Sequence, residues 1–268
     1  MYKRIFKDNR IFSSKEFQSD KYKYYIALKI ISSPDSNIYS DENNYIVLQS
    51  NSDAPIWIWT KDNIDKSYIN EIFECINKFF NSKSKITCKQ EFYDLLLSSK
   101  IIPIDKENYF EMGSLYCEKT IEPKVITGIM EKATIEDIDV IAKYWKDDNL
   151  ETDNNELIME EALKDAKAMV DDGNTYLLKD NNKKIVCMAS YNFIEDVAKI
   201  NHVYTPIEER KKGYCANLIY NLTNLLLKDK IVPMLYTDYN YIPSNKSYMN
   251  VGYVKSGILV TFKLKEDK

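Results

Sequence analysis

Glycine is scarce in this chain and is missing from the first 112 residues. The six glycines among 268 residues all come later, at Gly113, Gly128, Gly173, Gly213, Gly252 and Gly257. Glycine adopts positive φ without strain and lets a backbone approach a phosphate closely. A phosphate-binding loop built on glycine is therefore excluded from residues 1–112. If the chain has such a loop, it belongs to the second half.

Long apolar runs and clustered arginines are also missing. No stretch approaches 18 apolar residues, and the charged N-terminus is not followed by an apolar segment, so we predict neither a membrane span nor a signal peptide. Net charge is −4, and only three of the 37 basic residues are arginine. A broad nucleic-acid surface needs a clustered basic face. We therefore expect no membrane partner and no nucleic-acid partner.

The sequence also lacks the spacings of metal and thiol motifs. Its five cysteines are an odd number and include no C-x-x-C pair, and it has a single histidine. This pattern is typical of reduced, mostly buried thiols in a cytosolic protein, so we expect a cytoplasmic location. Because no ligand spacing is present, we expect no metal site. Neither G-x-S-x-G nor a P-loop occurs.

What is present is an ordinary globular composition, with 44% hydrophobic and 29% charged residues. The length suits one large domain or two of ordinary size, and it suffices to bury a core without disulfides or metals. The best boundary lies near residues 117–126, where charges and Pro123 cluster. We predict an N-terminal domain over 1–122 and a C-terminal domain over 123–268.

The N-terminal part has the pattern of a mixed α/β domain. Residues 45–50 and 56–60 read as strands separated by a turn-forming segment, and apolar spacing predicts helices over 69–80 and 89–98. Trp57 and Trp59 have the same parity within their strand. We favour core packing for both over a ligand-binding face.

After the boundary the order of predicted elements is β-α-α-β-β-β-α-β-α-β. Thr134 and Asp137 resemble a capping box at the start of the first helix, and Gly173 stops the second. The fold class we expect is α/β with a mixed sheet. The strands are predicted at residues 128–133, 175–179, 184–193, 197–205, 232–238 and 258–265, and the remaining helices at 156–172, at 215–228 and from 244.

The segment most typical of a binding site is VYTPIEERKKGYCANLIYNL, residues 203–222. A strand runs into a basic loop with one glycine, and the loop feeds an amphipathic helix. The first turn of a helix has unpaired N–H groups and the positive end of the dipole, so it holds anions such as phosphate. Arg210, Lys211 and Lys212 add positive charge, and Gly213 permits close approach. The alternative is a basic surface turn before an ordinary helix.

Two motifs resemble those of the GNAT superfamily of N-acyltransferases. The run from Arg210 to Cys215 is similar to the acyl-CoA motif Q/R-x-x-G-x-G/A, with Cys215 in place of the last small residue. Residues 235–254 are similar to the family's D-x-x-N-x-x-S-N-x-x-Y-x-x-x-G-Y/F stretch, with Tyr241 in place of the first Asn. The matching positions are Asp238, Ser244, Asn245, Tyr248, Gly252 and Tyr253. The resemblance covers roughly residues 126–268.

The resemblance implies a GNAT-like fold and acetyl-CoA as co-substrate. Its pantetheine arm would lie between two splayed parallel strands, here 197–205 and 232–238. A backbone N–H near Val203 would polarise the thioester carbonyl. The cofactor-binding residues implied are Val203, Tyr204, Thr205, Arg210, Lys211, Lys212, Gly213, Tyr214, Cys215, Ala216 and Asn245.

Tyr248 occupies the family's general-acid position. A phenol with a reference pKa of about 10 suits donation to a leaving thiolate. The alternative is that Tyr248 is one more of 21 tyrosines packing under a sheet. Asn245 would hydrogen-bond the cofactor, or else cap the helix predicted to begin at Ser244, a role for which Ser244 competes.

The sequence does not identify the general base. Lys199 stands where some relatives have a carboxylate, and Glu195, Asp196 and His202 are near in sequence. Strand alternation places His202 and Val203 on opposite faces, so we favour packing for His202. A water relay or the free amine's own equilibrium are alternatives. The acidic stretch 147–156 would attract a cationic amine, although a solvated charged loop is the interpretation we favour.

Two functions of different classes are compatible with these motifs. The first is an acetyl-CoA-dependent N-acetyltransferase, an acyltransferase that acts on the primary amine of a small molecule or peptide, as a monomer or homodimer. The second is a catalytically weak or inactive CoA-binding sensor or interaction protein. The N-terminal part is either a degenerate acyltransferase-like repeat, which we favour, or an unrelated module. Without glycine it is not expected to bind CoA in the usual way.

Overall fold

The computed structural model describes residues 1–81 and 83–265, which form two compact units. The first unit comprises Met1–Leu115, Tyr236–Tyr241 and the described residues from 255 onward. The second comprises Tyr116–Leu235 and Ile242–Val254. Neither unit is one continuous stretch of chain, because the end of the chain belongs with its beginning. The division at residues 122 and 123 stays a prediction about domains.

The N-terminal segment is richer in secondary structure than its sequence pattern predicts. The strands and helices predicted from residue 45 to residue 98 are confirmed within one or two residues, whereas three helical segments before residue 32 and four other strands were not foreseen. The elements are β1 Lys3–Arg4, a 3-10 turn Arg10–Ser13, α1 Lys15–Ser19, α2 Tyr25–Ile31, β2 Asn37–Ser40, β3 Tyr45–Gln49, β4 Ile56–Thr60, α3 Tyr68–Phe79, β5 Ile86–Lys89, α4 Gln90–Ser99 and β6 Ile104–Tyr116.

Strands β1 to β4 pair antiparallel in sequence order, and α3 carries the chain to β5, which pairs parallel with β4. The last strand of the chain, β12 (Val254–Leu264), pairs antiparallel with β5 through its residues 259–262. Trp57 and Trp59 are both buried in a core that includes Phe17 and Tyr24. Core packing of the two tryptophans is therefore confirmed.

From residue 126 onward, the chain follows the predicted order of elements. The capping box predicted at Thr134 and Asp137 forms, and Gly173 follows the second helix with a φ of +70°. The elements are β7 Ile129–Lys132, a 3-10 turn Ile135–Asp137, α5 Ile138–Asp153, α6 Met159–Asp171, β8 Thr175–Lys179, β9 Ile185–Ile194, β10 Val197–Tyr204, a 3-10 turn Ile207–Glu209, α7 Tyr214–Lys228, β11 Val232–Asp238 and α8 Ile242–Asn250.

Several predicted boundaries were wrong. Helix α8 begins at Ile242 rather than Ser244, and β12 begins at Val254 rather than residue 258. The α6 helix begins at Met159, three residues later than predicted. Strands β7 to β10 pair antiparallel in sequence order, and β10 pairs parallel with β11.

Both halves of the chain run through the same order of elements. A strand is followed by two helices, three antiparallel strands, a helix, a parallel strand, a helix and a long final strand, from β1 to β6 and again from β7 to β12. This correspondence favours the interpretation of the N-terminal part as a repeat of the C-terminal fold over an unrelated module.

Candidate functional site

The candidate site centres on the start of α7. Gly213 precedes this helix with a φ of +85°, a left-handed conformation that favours glycine. No side chain caps the helix, and its first backbone bond runs from Asn217 N–H to the Gly213 carbonyl. The N–H groups of Tyr214, Cys215 and Ala216 therefore precede the helical ladder, at the positive end of the helix dipole.

Arg210 points at a carboxylate within the same unit. Its Nη2 lies 2.6 Å from Glu151 Oε2, and its Nε donates to the Thr205 carbonyl at 2.9 Å. The Tyr204 hydroxyl donates to the other Glu151 oxygen at 2.9 Å. Burial and this bond to Glu151 raise the pKa of Tyr204. The Arg210 charge is thus largely compensated.

Glu151 also corrects the interpretation of the acidic stretch 147–156. That stretch was expected to be a solvated loop, yet α5 continues through it to Asp153. The helical geometry brings Glu151 to Tyr204 and Arg210. The solvated-loop interpretation was wrong for this residue because the helix extends beyond its apolar stripe.

The charge of Lys212 is compensated as well. Buried Glu209 accepts hydrogen bonds from Lys212 Nζ at 2.8 Å and from Lys184 Nζ at 2.5 Å. These bonds, that of Lys184 first, lower the pKa of Glu209. Lys211 is exposed and has a φ of +65°. Of the three predicted loop cations, only Lys211 shows no carboxylate contact among the described ion pairs.

Strand β10 leaves its parallel partner early. The pairs Val197–Val232, Ala198–Pro233 and Lys199–Met234 form the parallel register with β11, and no further pair follows in the described part of the chain. Towards β9, the register shifts between Asn201 and Tyr204, which is a bulge. The predicted separation of parallel strands therefore begins after Lys199.

The bulge invalidates the alternation argument for His202 and Val203. His202 has a φ of +49°, so the two-residue side-chain period does not hold there. Its ring packs edge-on against Trp145, with centroids 4.5 Å apart. Burial first, and Lys199 next, lower the pKa of His202 to about 4. The packing interpretation is supported for a reason other than alternation, and the imidazole is neutral at pH 7.

Tyr248 is buried on α8, and burial raises its pKa well above the usual value for a phenol. It is hydrogen-bonded to Ser244, and its ring centroid lies 6.0 Å from that of Tyr253. Ser244 and Asn245 lie in the first turn of α8, so the idea that either residue is the N-cap was wrong. Gly252 follows this helix with a φ of +108°.

Side chains from β9, α7, α8 and the loop after β10 meet around two thiols. The Thr205 hydroxyl donates to Cys187 Sγ across 3.1 Å. Burial first, and Cys215 next, raise the pKa of Cys187, whereas Cys187 and then Ser247 lower the pKa of Cys215. Cys215 and Thr205 were predicted site residues, whereas Cys187, Ser247 and Glu151 were not. No local sequence signal identifies those three, because each contact joins elements distant in sequence.

The corresponding parallel pair of the first unit has a side chain between its strands. Ile56 N–H donates to the Lys85 carbonyl at 2.8 Å, so continuation of the ladder would bring Lys89 N–H to the Ile58 carbonyl. Instead, the Tyr24 hydroxyl donates to Ile58 at 2.8 Å and accepts from Lys89 N–H at 3.1 Å. The gap between β4 and β5 is therefore filled by a side chain of the protein.

Three solved structures align with nearly the whole chain. An acetyltransferase of the GNAT family from Colwellia psychrerythraea is 11% identical, with 99% of this chain and 100% of that chain covered and a TM-score of 0.62. A GCN5-related N-acetyltransferase from Kribbella flavida is 13% identical, with coverages of 95% and 98% and a TM-score of 0.60. One from Sphaerobacter thermophilus is 8% identical, with coverages of 98% and 94% and a TM-score of 0.61.

This chain has the GNAT fold. The predicted fold class, α/β with a mixed sheet, is thereby confirmed. No protein-family profile and no curated protein matches the sequence. At these identities the likeness shows the fold alone. The residues proposed for the site therefore rest on the geometry described above.

Residues 1–81 and 83–265 contain neither a candidate membrane span nor a metal-binding cluster. No helix in these ranges combines the length and the apolar character needed to cross a bilayer. Within the same ranges, no group of three or more His, Cys, Asp or Glu side chains is placed to hold a metal ion.

Proposed function

We propose that this chain is an acetyl-CoA-dependent N-acetyltransferase that acts on a primary amine. One observation carries the proposal: within a GNAT fold, the uncapped start of α7 follows the strand that separates early from its parallel partner. A helix N-terminus with a preceding left-handed glycine suits a pyrophosphate. A strand that has separated from its parallel neighbour suits an extended amide chain.

The residues proposed to hold acetyl-CoA divide into two groups. Backbone N–H groups from Lys211 to Ala216 would hold the pyrophosphate, with the exposed Lys211 ammonium beside them. Backbone groups of Val203 and Tyr204 at the end of β10, together with the N–H of Thr205, would hold the pantetheine arm. Asn245, half-buried in the first turn of α8, would donate to the same arm. Because Arg210 and Lys212 are engaged with carboxylates, we assign the anion binding mainly to the backbone.

The proposed reaction is a direct transfer. The neutral amine nitrogen attacks the thioester carbonyl carbon, the nitrogen–carbon bond forms and the carbon–sulfur bond breaks. The amine then loses a proton, and the departing sulfur gains one. Tyr248 would supply that proton, since burial keeps its phenol in the protonated form.

No protein base is assigned to this reaction. His202 packs on Trp145 and is a weak base, with a pKa of about 4. We propose that the amine's own equilibrium supplies the neutral nucleophile. The acceptor would be a small molecule or peptide, with the enzyme acting as a monomer or homodimer.

Cofactor binding is tested by isothermal titration of the purified chain with acetyl-CoA. We expect binding, and we expect Lys211→Glu to raise the Kd about tenfold, which is roughly 1.4 kcal/mol. Lys228→Glu is the matched control, since it makes the same charge change at the far end of α7, where Lys228 is exposed. Absence of binding by the parent chain would refute the cofactor assignment.

Turnover is tested by thiol release from acetyl-CoA over a panel of amines. With the best amine, Tyr248→Phe is expected to lower kcat by roughly 10²-fold or more while the Kd for acetyl-CoA is retained. Tyr253→Phe removes a neighbouring buried hydroxyl, bonded to Thr223, and is expected to keep kcat. Equal rates for Tyr248→Phe and the parent would exclude the general-acid role. Binding without thiol release for any amine would favour the CoA-binding sensor.

A further inference from the structure

We propose that Asn217 is a positioning residue that fixes the turn at Gly213 and so aims the first N–H groups of α7 at the pyrophosphate of acetyl-CoA. Asn217 lies outside the motif from Arg210 to Cys215. The effect on acetyl-CoA rests on the proposed function of this turn. The hold on Gly213 rests only on hydrogen bonds within the chain, so the two parts are separable by experiment.

Asn217 is a buried polar residue in the first turn of α7, with 1% of its surface exposed. Asparagine is a weaker helix former than alanine or leucine. A buried amide also costs free energy unless its hydrogen bonds are satisfied. The presence of an amide at this position is therefore explained by its partners rather than by the helix.

The side chain of Asn217 binds two separate segments. Its Nδ2 donates to the Gly213 carbonyl at 2.9 Å and to the Val125 carbonyl at 2.7 Å, so both of its hydrogens are used. Its Oδ1 accepts from the Thr127 N–H at 3.1 Å. One side chain thus ties the turn before α7 to the segment before β7, and all four residues belong to the second unit.

Two hydrogen bonds on one carbonyl fix the peptide group between Gly213 and Tyr214. The backbone N–H of Asn217 donates to the same Gly213 carbonyl at 3.1 Å. A trans peptide is planar, so its C=O and N–H point in opposite directions. Because Asn217 holds the carbonyl along the axis of α7, the Tyr214 N–H points away from the helix, towards the place proposed for the pyrophosphate.

Gly213 needs such a restraint because glycine rotates more freely than any other residue. Its φ of +85° is one of several conformations open to it. A Cβ atom at Gly213 would lie 3.7 Å from Asn217 Nδ2 and 3.9 Å from Val125 Cβ, so these residues lie side by side. Asn217 therefore holds both the turn and its neighbour.

Asn224 offers a matched control on the same helix. Its Oδ1 accepts from Thr120 Oγ1 at 2.9 Å, which ties the segment before β7 to α7 at a second point. This bond does not involve Gly213. Asn224→Ala therefore loosens the same segment without releasing the turn, whereas Asn217→Ala releases both.

The test compares the two variants in the full chain with two acetyl donors. S-acetylpantetheine has the thioester and the pantetheine arm of acetyl-CoA but no pyrophosphate. We expect Asn217→Ala to raise the Kd for acetyl-CoA about tenfold in isothermal titration. Its kcat/KM for S-acetylpantetheine, measured by thiol release, should equal that of the parent. Asn224→Ala should change neither value.

A conservative variant should restore the hold on the turn. Asn217→Ser has a hydroxyl that can still donate to the carbonyl four residues earlier, which is that of Gly213. It is too short to reach Val125 and Thr127. We expect this variant to recover most of the affinity for acetyl-CoA that Asn217→Ala loses. No recovery would refute the assignment of the effect to the Gly213 bond.

The turn itself is observed by magnetic resonance of the chain labelled at its glycine nitrogens. The chain has six glycines, and the Gly213 amide signal is identified by its loss in Gly213→Ala. We expect this signal to move in unliganded Asn217→Ala and to keep its position in Asn224→Ala. In the parent, inorganic pyrophosphate should shift it as well.

The outcomes separate the two proposals. Equal Kd values for acetyl-CoA in Asn217→Ala and the parent refute the positioning role. Equal losses for acetyl-CoA and S-acetylpantetheine refute it too, since they would show a general loosening of the fold. If the parent does not bind acetyl-CoA, the proposed function fails, and the Gly213 signal of the unliganded variants still decides whether Asn217 holds the turn.

A second variant keeps the test decisive if Asn217→Ala does not fold. Asn217→Asp keeps the shape of the side chain and the acceptor for Thr127, but it cannot donate to Gly213. We expect the Gly213 signal of unliganded Asn217→Asp to move away from its position in the parent. An unchanged signal would refute the hold of Asn217 on the turn.

Discussion

The Tyr24 hydroxyl donates to the Ile58 carbonyl across 2.8 Å, where β4 and β5 would otherwise continue their ladder. The same hydroxyl accepts from the backbone N–H of Lys89. A side chain of the first unit thus fills the gap between β4 and β5. The corresponding gap of the second unit, beside β10, is where a cofactor arm is proposed to lie. Buried Asp20 supports the arrangement by accepting from Trp59 Nε1 at 2.8 Å and Lys23 Nζ at 2.9 Å.

The first prediction concerns stoichiometry. Because the gap between β4 and β5 is filled and the first 112 residues contain no glycine, we expect one acetyl-CoA per chain. Isothermal titration at known active concentration measures this ratio. A ratio of two would show that the first unit binds as well and would contradict the assignment of a filled position.

The second prediction concerns the stability of the first unit. Tyr24→Phe leaves the Ile58 carbonyl and the Lys89 N–H without their shared partner in the core. We expect the free energy of unfolding to fall by roughly 1–3 kcal/mol in urea denaturation, the usual cost of unsatisfied buried groups. Tyr39→Phe, which keeps the ring stacked on Phe79, is the matched control. A loss for Tyr24→Phe no larger than for the control would refute the bridging role.

The third prediction concerns Glu151, which neutralises Arg210 next to the proposed anion site. Glu151→Gln keeps the shape of the side chain and removes its charge, so the Arg210 charge is no longer compensated. We expect acetyl-CoA to bind about two- to fivefold more tightly, an effect that salt weakens. Stability should change by less than about 1 kcal/mol, because the pair is partly exposed. Glu160→Gln, an exposed acid of α6, should leave the Kd unchanged.

The fourth prediction concerns pH. Burial lowers the pKa of His202 from 6.5 to about 4, so the unfolded chain binds the proton more readily than the folded chain. The contribution of His202 to stability is complete above pH 6.5 and is lost as the pH falls from 6.5 towards 4. Between pH 7 and pH 5 we expect a loss of about 1–2 kcal/mol.

Urea denaturation of the parent and of His202→Phe at several pH values measures this contribution. The variant keeps an aromatic ring against Trp145 and has no imidazole, since His202 is the single histidine. Its stability should therefore depend less on pH in that range. Identical pH dependence in the two proteins would show that His202 is not buried as a neutral ring.

Much of the second unit is predictable because its signals are local. The turn at Thr134 and Asp137 forms a capping box from residues three apart, and the loop before Gly213 identifies the start of α7 from a few neighbouring residues. Apolar spacing then places the helices, and the order of elements indicates the fold. Predicted boundaries are wrong where a helix continues beyond its apolar stripe, as α5 does up to Asp153.

The sequence alone determined the order of strands and helices in the second half, the position of the loop that leads into α7 and the exclusion of a glycine loop before residue 113, because these properties depend on neighbouring residues. Tertiary structure alone decided that Tyr24 reaches Ile58 and Lys89, 34 and 65 residues away. It also decided that Glu151 neutralises Arg210. Such contacts depend on how distant elements pack, and no local spacing records that packing.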